Sequence, residues 1–462
     1  MSLFGGVQVL NIVCSVIRTK LIALWIGPAG VGLIGVYNSA IEMISSATGL
    51  GIRNSSVRDI SSNSKFTDKL GAIVQAVRRW SWGVGIFGAL ITLLLAPWLS
   101  QVTFGDDSHT FAFILLSVVI LINAITAGEM AILQGMRRLK RLANASIWGM
   151  VIALVISAPL YYFWGIDSVV PTIVIYSLVT MVFILVYRER SFDDAPKESI
   201  ADSLKLGGGF IRLGILMTIS SFVTILSSYI FIAYLNNKSG TVEVGYYQAG
   251  YTLVNKYVGL IFASIGMEFY PRLASVKDSA RRISVFVSQQ IKLLLLILIP
   301  IISAFLVFRE LIVTILYSSE FYQIIPFISG AIIATIFRAV SWCAAFVIIA
   351  KGSGKIYLVT ELTSAAIGLA LNILSYHYYG LVGLGVSFIV WYFIYSVITL
   401  AIYKYYYRLR LHYSILLLTL LALVVSVVTL WLVSAGWVWC ALLMMVTVTS
   451  LSGIAIYKQF KH

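Results

Sequence analysis

The chain has 462 residues, 60% of them apolar and only 11% charged, with a mean hydropathy of +0.96, whereas a soluble protein carries about 25% charged residues. No stretch of about a hundred residues is polar enough to fold in water around its own core, which excludes the soluble enzyme folds and marks an all-α polytopic membrane protein. The net charge of +15 would suggest nucleic acid in a soluble chain. Here the basic residues sit between apolar runs, where they orient the chain, and no nucleic-acid partner is expected.

Crossing roughly 30 Å of hydrocarbon takes about 20 helical residues, and lipid obliges each backbone group to bond within its own helix. In chain order the apolar runs predict spans at 3–26, 30–50, 80–100, 110–134, 145–164, 168–187 and 209–235. They continue at 244–269, 285–308, 324–350, 356–378, 381–403, 413–434 and 437–457, fourteen in all. The first charges, Arg18 and Lys20, fall inside the first run rather than before it, so no cleavable signal peptide is expected. Cys14, Cys343 and Cys440 are far apart and read as packing residues, not as a disulfide framework or metal site.

Of the 33 basic residues, all but six lie in alternate loops that would share one side. Lys238 and Arg309 lie in the opposite loops; Arg18, Lys20, Lys256 and Arg338 lie within spans. This asymmetry predicts both termini in the cytoplasm. The longest polar segment includes Asp193, Asp194, Pro196 and Glu198 and reads as a cytoplasmic linker over 191–208, between six-helix halves at 1–190 and 209–405. Residues 406–462 supply the last two spans. Val31-Gly32 and Val244-Gly245 open their spans at the same place in each half, which favours an internal duplication with a substrate site between the repeats.

An ionisable residue near the bilayer centre costs about 2.5–3.5 kcal/mol on insertion scales, so it usually faces a partner or a wet cavity. Arg18 lies at helical spacing from Asn11 and Ser15; Asn38, Glu42, Ser45 and Gly49 form a comparable stripe on the second span. Arg18 and Glu42 are candidates for an ion pair, either structural or functional. On the eighth span Gln248, Thr252 and Asn255 share a face with Lys256 close by, and Arg338 sits mid-span in the tenth. A cavity lined by Arg18, Lys256 and Arg338, opening to Arg53, would attract an anion and repel cations. Ser220, Thr224, Ser227 and Ser228 either line the same space or serve as helix-packing glue. Glu129, Glu268 and Glu361 lie near cytoplasmic ends, where salt bridges to Arg137, Arg272 and Lys355 would account for them.

Catalytic and cofactor signatures are missing. Lys351-Gly352-Ser353-Gly354-Lys355 lacks the spacing of a phosphate loop and reads as a basic turn. His109, His377, His412 and His462 are scattered, so no zinc site is expected, and no cofactor. Asp106-Asp107 and Asp193-Asp194 read as solvated loop acids. A membrane polymerase would need a substantial outer loop, and the outer loops are short. The pattern is a transporter's rather than an enzyme's.

Ile26-Gly27-Pro28-Ala29-Gly30-Val31-Gly32-Leu33-Ile34-Gly35, followed by Gly49-Leu50-Gly51-Ile52-Arg53-Asn54, resembles the opening of Wzx-type polysaccharide flippases. Glu243-Val244-Gly245-Tyr246-Tyr247-Gln248 with Tyr270-Pro271-Arg272-Leu273, then Phe346-Val347-Ile348-Ile349-Ala350-Lys351 with Tyr357-Leu358, continue the likeness to about residue 405. That family belongs to the multidrug/oligosaccharidyl-lipid/polysaccharide (MOP) exporter superfamily. The resemblance implies two six-helix lobes in a V around a central cavity, in a bacterial inner membrane. It implies transfer of an undecaprenyl-pyrophosphate-linked oligosaccharide, O-antigen-like, between leaflets by alternating access, with a polysaccharide polymerase and a chain-length regulator as partners. Arg18 and Lys256 match the basic positions of related lipid flippases. Arg53, Arg338, Asn255 and Gln248 complete the expected substrate-binding set, with Glu42 as candidate for ion coupling. A multidrug/cation antiporter of the same superfamily and a membrane polymerase are the alternatives.

Overall fold

The computed structural model describes residues 2–49, 51–62, 67–192, 200–276 and 278–461. The side chains of 2–9, 54, 67–69, 200–218, 220, 256, 257, 267 and 459–461 lie outside the description, as does most of the expected linker. The described elements are helical, and contacts divide the chain into one unit over 1–245 and a second over 246–462.

In the first unit α1 (Ser2–Trp25) and α2 (Pro28–Thr48) are joined by a turn at Gly27, whose φ of 78° suits a residue without Cβ, and Pro28 starts α2 where its missing N–H costs nothing. A short helix, α3 (Ile52–Ser62), follows. The sequence predicts a loop over this polar stretch, but Ile52, Ser55, Ser56 and Ile60 fall on one buried face of a helix that packs on α5 (Thr110–Gly135). α4 (Thr67–Phe104) begins well before the expected span at residue 80, because hydropathy marks only the part in lipid while Arg78 and Arg79 continue the helix beyond it. α6 (Leu139–Trp164) and α7 (Val169–Val186) complete this bundle; α1 packs most extensively on α6, and α4 on α5. Tyr37, Leu99, Phe113 and Leu116 form its main core.

α8 (Ile200–Tyr251) is bent at Gly240, where φ is 83°. Its last turns before residue 246 lie against α2: a Cβ on Gly32 would stand 1.7 Å from the Thr241 carbonyl, and one on Gly245 would stand 1.9 Å from the Pro28 carbonyl. The two glycines aligned by the proposed duplication therefore meet, because only bare backbones fit at that separation.

In the second unit a π-helical turn over Thr252–Tyr257 leads into α9 (Val258–Ser275), then α10 (Ala280–Val307) and the short α11 (Arg309–Leu316). α12 (Ile325–Ala350) packs on α13 (Gly354–Ala401), whose two arms are set by Gly380 at φ 57°. α14 (Tyr413–Ser434) and α15 (Val438–Lys461) lie against α10. Cys343 is buried in this unit's core, as Cys14 is buried in the first unit, but Cys440 faces outward and is not the packing residue expected.

Among the described residues eight continuous helical stretches are long and apolar enough to cross a membrane. Two of them, Leu139–Val186 and Gly354–Tyr406, run to 48 and 53 residues and are each broken by a glycine into two arms of membrane length. α1, α2, the first arm of α8, and the stretch from residue 241 through α9 fall outside that set. They carry Arg18, Lys20, Glu42 and Lys256, whereas Arg338 lies in α12 within it, and the count of fourteen rests on their crossing as well.

Candidate functional site

Arg18 projects from α1 toward the α6–α7 hairpin. Its Nε donates to the Tyr161 hydroxyl at 3.2 Å, and its guanidinium lies 4.7 Å from the centre of the Tyr176 ring. Tyr161 is wholly buried. The expected pairing with Glu42 is not what forms: among the described ion pairs none joins the two. The cation is instead held by a hydroxyl and a ring face, partners that leave its charge uncompensated.

Glu42 and Arg53 do come together, as lining of one cavity of about 370 Å³ in the first unit, with Ser45, Ser46, Ser81 and Asn123. The cavity lies where α2 ends and α3 begins, and Gly128 lets α5 approach Ser81 there, since a Cβ at Gly128 would be 2.1 Å from the Ser81 hydroxyl. Both charged side chains are exposed to it. Ser45 contributes a buried hydroxyl with no hydrogen-bond partner.

On the other side of Ser81 a second cavity of about 410 Å³ is lined by Arg78, Trp82, Glu129 and Arg188. Arg78 Nε donates to Glu129 at 2.7 Å, and Arg78 Nη2 donates to the Glu189 carbonyl at 2.6 Å. The buried Glu189 carboxylate takes Arg138 and Arg141, each at 3.2 Å, and the Ser191 hydroxyl at 2.7 Å. Burial pushes the Glu189 carboxyl up, but Ser191 and the two guanidiniums outweigh it and hold the net below the usual carboxylate range. Glu129 thus pairs with Arg78 on α4, not with Arg137 as sequence proximity suggested. Glu268 does pair with Arg272, one turn along α9.

In the second unit Arg338 of α12 reaches the π-helical turn. Its Nη1 donates to Asn255 Oδ1 at 2.8 Å, and the guanidinium stands 5.1 Å from the Phe262 ring centre and 5.7 Å from that of Tyr392. Arginine only donates, so the Asn255 amide must turn its carbonyl to Arg338, leaving Nδ2 buried and without a partner. The π-turn, which adds a residue to the helical repeat, is the local device that brings Asn255 to this position. Gln248 is half-buried in the last turns of α8. The Lys256 side chain is among those outside the description; its backbone belongs to the same π-turn.

Sequence reasoning placed Arg338 and Asn255 in one substrate-binding set without pairing them and missed Tyr161, Tyr176, Phe262 and Tyr392. An aromatic inside an apolar run carries no mark that distinguishes a cation's partner from a lipid-facing ring. Among the described residues no group of three or more His, Cys, Asp or Glu is arranged to hold a metal ion.

A family model described as polysaccharide biosynthesis protein matches residues 4–326. The chain belongs to this family. The match stops short of residue 405, to which the sequence motifs had been followed. Among named relatives, the lipid III flippase of Escherichia coli (strain K12) is 22% identical over 356 residues, covering 74% of this chain and 83% of that one. A Shigella flexneri protein provisionally named an O-antigen transporter is 24% identical over 375 residues, covering 79% and 88%. The structure resembles the lipid II flippase MurJ in an inward closed conformation over the whole of both chains, at a TM-score of 0.70 and 13% identity. It also resembles an inward-facing multidrug resistance MATE transporter of the MOP superfamily, at 0.68 and 12% identity over 82% of this chain and 91% of that one. The fold of this multi-pass membrane protein is that of the MOP exporters, and the full-length match to MurJ takes in α14 and α15.

Proposed function

We propose that the protein is a flippase for an undecaprenyl-pyrophosphate-linked oligosaccharide of O-antigen-like type, working by alternating access in a bacterial inner membrane with both termini cytoplasmic. The observation that carries this reading is the state of the two described intramembrane arginines. Arg18 and Arg338 are each held by neutral partners, so each keeps a positive charge that an anionic headgroup would compensate. A diphosphate supplies that charge, and rings and amides beside the guanidiniums suit sugar contacts. Arg53, Lys256, Asn255 and Gln248 complete the substrate-binding set in this reading, and 1–190, 191–208, 209–405 and 406–462 serve as first lobe, linker, second lobe and added pair. The names of the relatives support transport rather than catalysis; an enzyme role has no residues assigned to it. The polymerase and chain-length regulator are partners by analogy with the family.

Ion coupling is assigned to Glu42, because it lines one cavity with Arg53, Ser45, Ser46, Ser81 and Asn123, whose oxygens would receive a small cation or proton. The shared fold with multidrug transporters supports the antiporter as second reading, but a site for cationic drugs needs net acidic lining, and the charged residues assigned to the substrate here, Arg18, Arg53, Lys256 and Arg338, are basic.

Purified protein in liposomes, given a fluorescent lipid-linked oligosaccharide, tests the reading. Transfer between leaflets is expected, and Arg18→Ala and Arg338→Ala should each slow it by roughly ten- to a hundredfold, the equivalent of losing one hydrogen bond to a charged group, about 1.5–3 kcal/mol. Unchanged rates in both variants would remove the anion site; rates set by an imposed pH or Na⁺ gradient, and flattened by Glu42→Gln, support coupling.

A further inference from the structure

Glu361 lies seven residues into α13, about 10 Å along the axis from its start, inside a helical stretch apolar enough to cross the membrane. The salt bridge to Lys355 expected from sequence is not what holds it, and Lys355 lies about 120° away around the helix. The Glu361 carboxyl instead accepts from the Tyr395 hydroxyl at 2.5 Å, a contact between the two arms that meet across Gly380. Tyr357 stands one turn before Glu361 on its own arm and within electrostatic range of it. On the facing arm Tyr392 stands one turn before Tyr395, stacks on Trp391 at 5.0 Å and carries Arg338 on its ring. Trp391 in turn donates to Ser364, next to the Glu361 turn, at 3.1 Å. Among the described residues, the titratable groups that face this carboxyl are Tyr357 and Tyr395 on α13, with Tyr392 beside Tyr395 and Arg338 of α12 behind Tyr392. Among the described ion pairs none involves Glu361.

An ionised carboxylate without a cation is poorly tolerated away from water, whereas the neutral acid can donate once and still accept from a phenol. One phenol donor among aromatic rings suits that acid and supplies too few oxygens for a metal ion. We infer that Glu361, with Tyr395, is a proton-binding site of the second unit, separate from Glu42. Uptake forms an O–H bond on Oε2, the carboxylate oxygen that Tyr395 leaves open, with the proton given up by a hydronium ion that leaves as water; release reverses the step. Glu361 is only partly exposed and lies seven residues from the start of α13, so the proton arrives from that end of the helix. The same arm of α13 touches Arg338 through Tyr392, so proton and anion occupancy are linked, and linkage acts equally in both directions.

The site can be tested without any substrate, which separates its failure from that of the transport reading. Full-length protein in phosphatidylethanolamine/phosphatidylglycerol vesicles is titrated by infrared difference spectroscopy. A protonated-carboxyl carbonyl absorption that titrates with pH is expected, with one component lost in Glu361→Gln and shifted in Tyr395→Phe, which removes the phenol donor but keeps the ring. Glu42→Gln and Glu129→Gln should leave that component in place. A spectrum that Glu361→Gln leaves unchanged, or a Tyr395-sensitive component that disappears with Glu42→Gln instead, overturns the assignment.

Discussion

His109 shows how much one side chain at the edge of the first unit depends on its neighbours. Its Nδ1 meets the Tyr37 hydroxyl at 2.8 Å and its ring stacks on Phe104 at 3.6 Å. Burial holds its pKa below the usual histidine value, and Asp106 opposes this only in part. The unfolded chain therefore binds this proton more readily than the folded one, so stability rises with pH and is lost as pH falls through about 6.5 and below. Thermal melting of the purified protein should drop over that window, and His109→Gln should flatten the drop. Gly32 makes the opposite case, where missing atoms matter. Gly32→Ala places a methyl group in the Thr241 carbonyl and should lower stability by about 1–3 kcal/mol. Gly453→Ala, with open space around it, should leave the melting temperature level or slightly raised. By sequence alone Gly32 suits close helix packing, because a residue without a side chain leaves room for a neighbouring backbone. Which backbone takes that room was not readable, since Thr241 lies more than two hundred residues away.

Between helices, the chain of ion pairs from Arg78 through Glu189 ties α4, α5, α6 and the end of α7 together. The Arg78 and Glu129 side chains are 17% and 5% exposed, so removing one leaves the other charged and poorly solvated. Glu129→Ala is expected to cost about 3–5 kcal/mol. Arg138 and Arg141 are 54% and 47% exposed, and either alanine variant should cost at most about 1 kcal/mol. Chemical denaturation of the detergent-solubilised protein, followed by far-UV circular dichroism, would rank the three. The sequence reading recognised Glu129 as the acid of a structural bridge but chose the nearer arginine. A helix brings residues together by face, not by sequence distance, and α4 presents Arg78 to the correct side of α5.

At the level of the whole molecule, the proposed topology requires an even number of crossings. Reporter fusions after Arg58, Arg141, Arg282 and Lys404 should all read cytoplasmic, and fusions at Asp107 and Lys238 the opposite; a single reversed site would move every later helix to the wrong side. Hydropathy, the bias of basic residues and the short glycine-containing motifs made the membrane class, the helices and the family likeness readable from sequence, because each depends on a few consecutive residues and their solvent. The partners of the intramembrane charges came only with the tertiary structure. Arg18 takes Tyr161 from 143 positions away, Arg338 takes Asn255 from a π-turn, and Glu361 takes Tyr395 across a bend. Lipid-facing and protein-facing helix surfaces are alike in composition, so which faces meet is decided by packing and not by any local pattern.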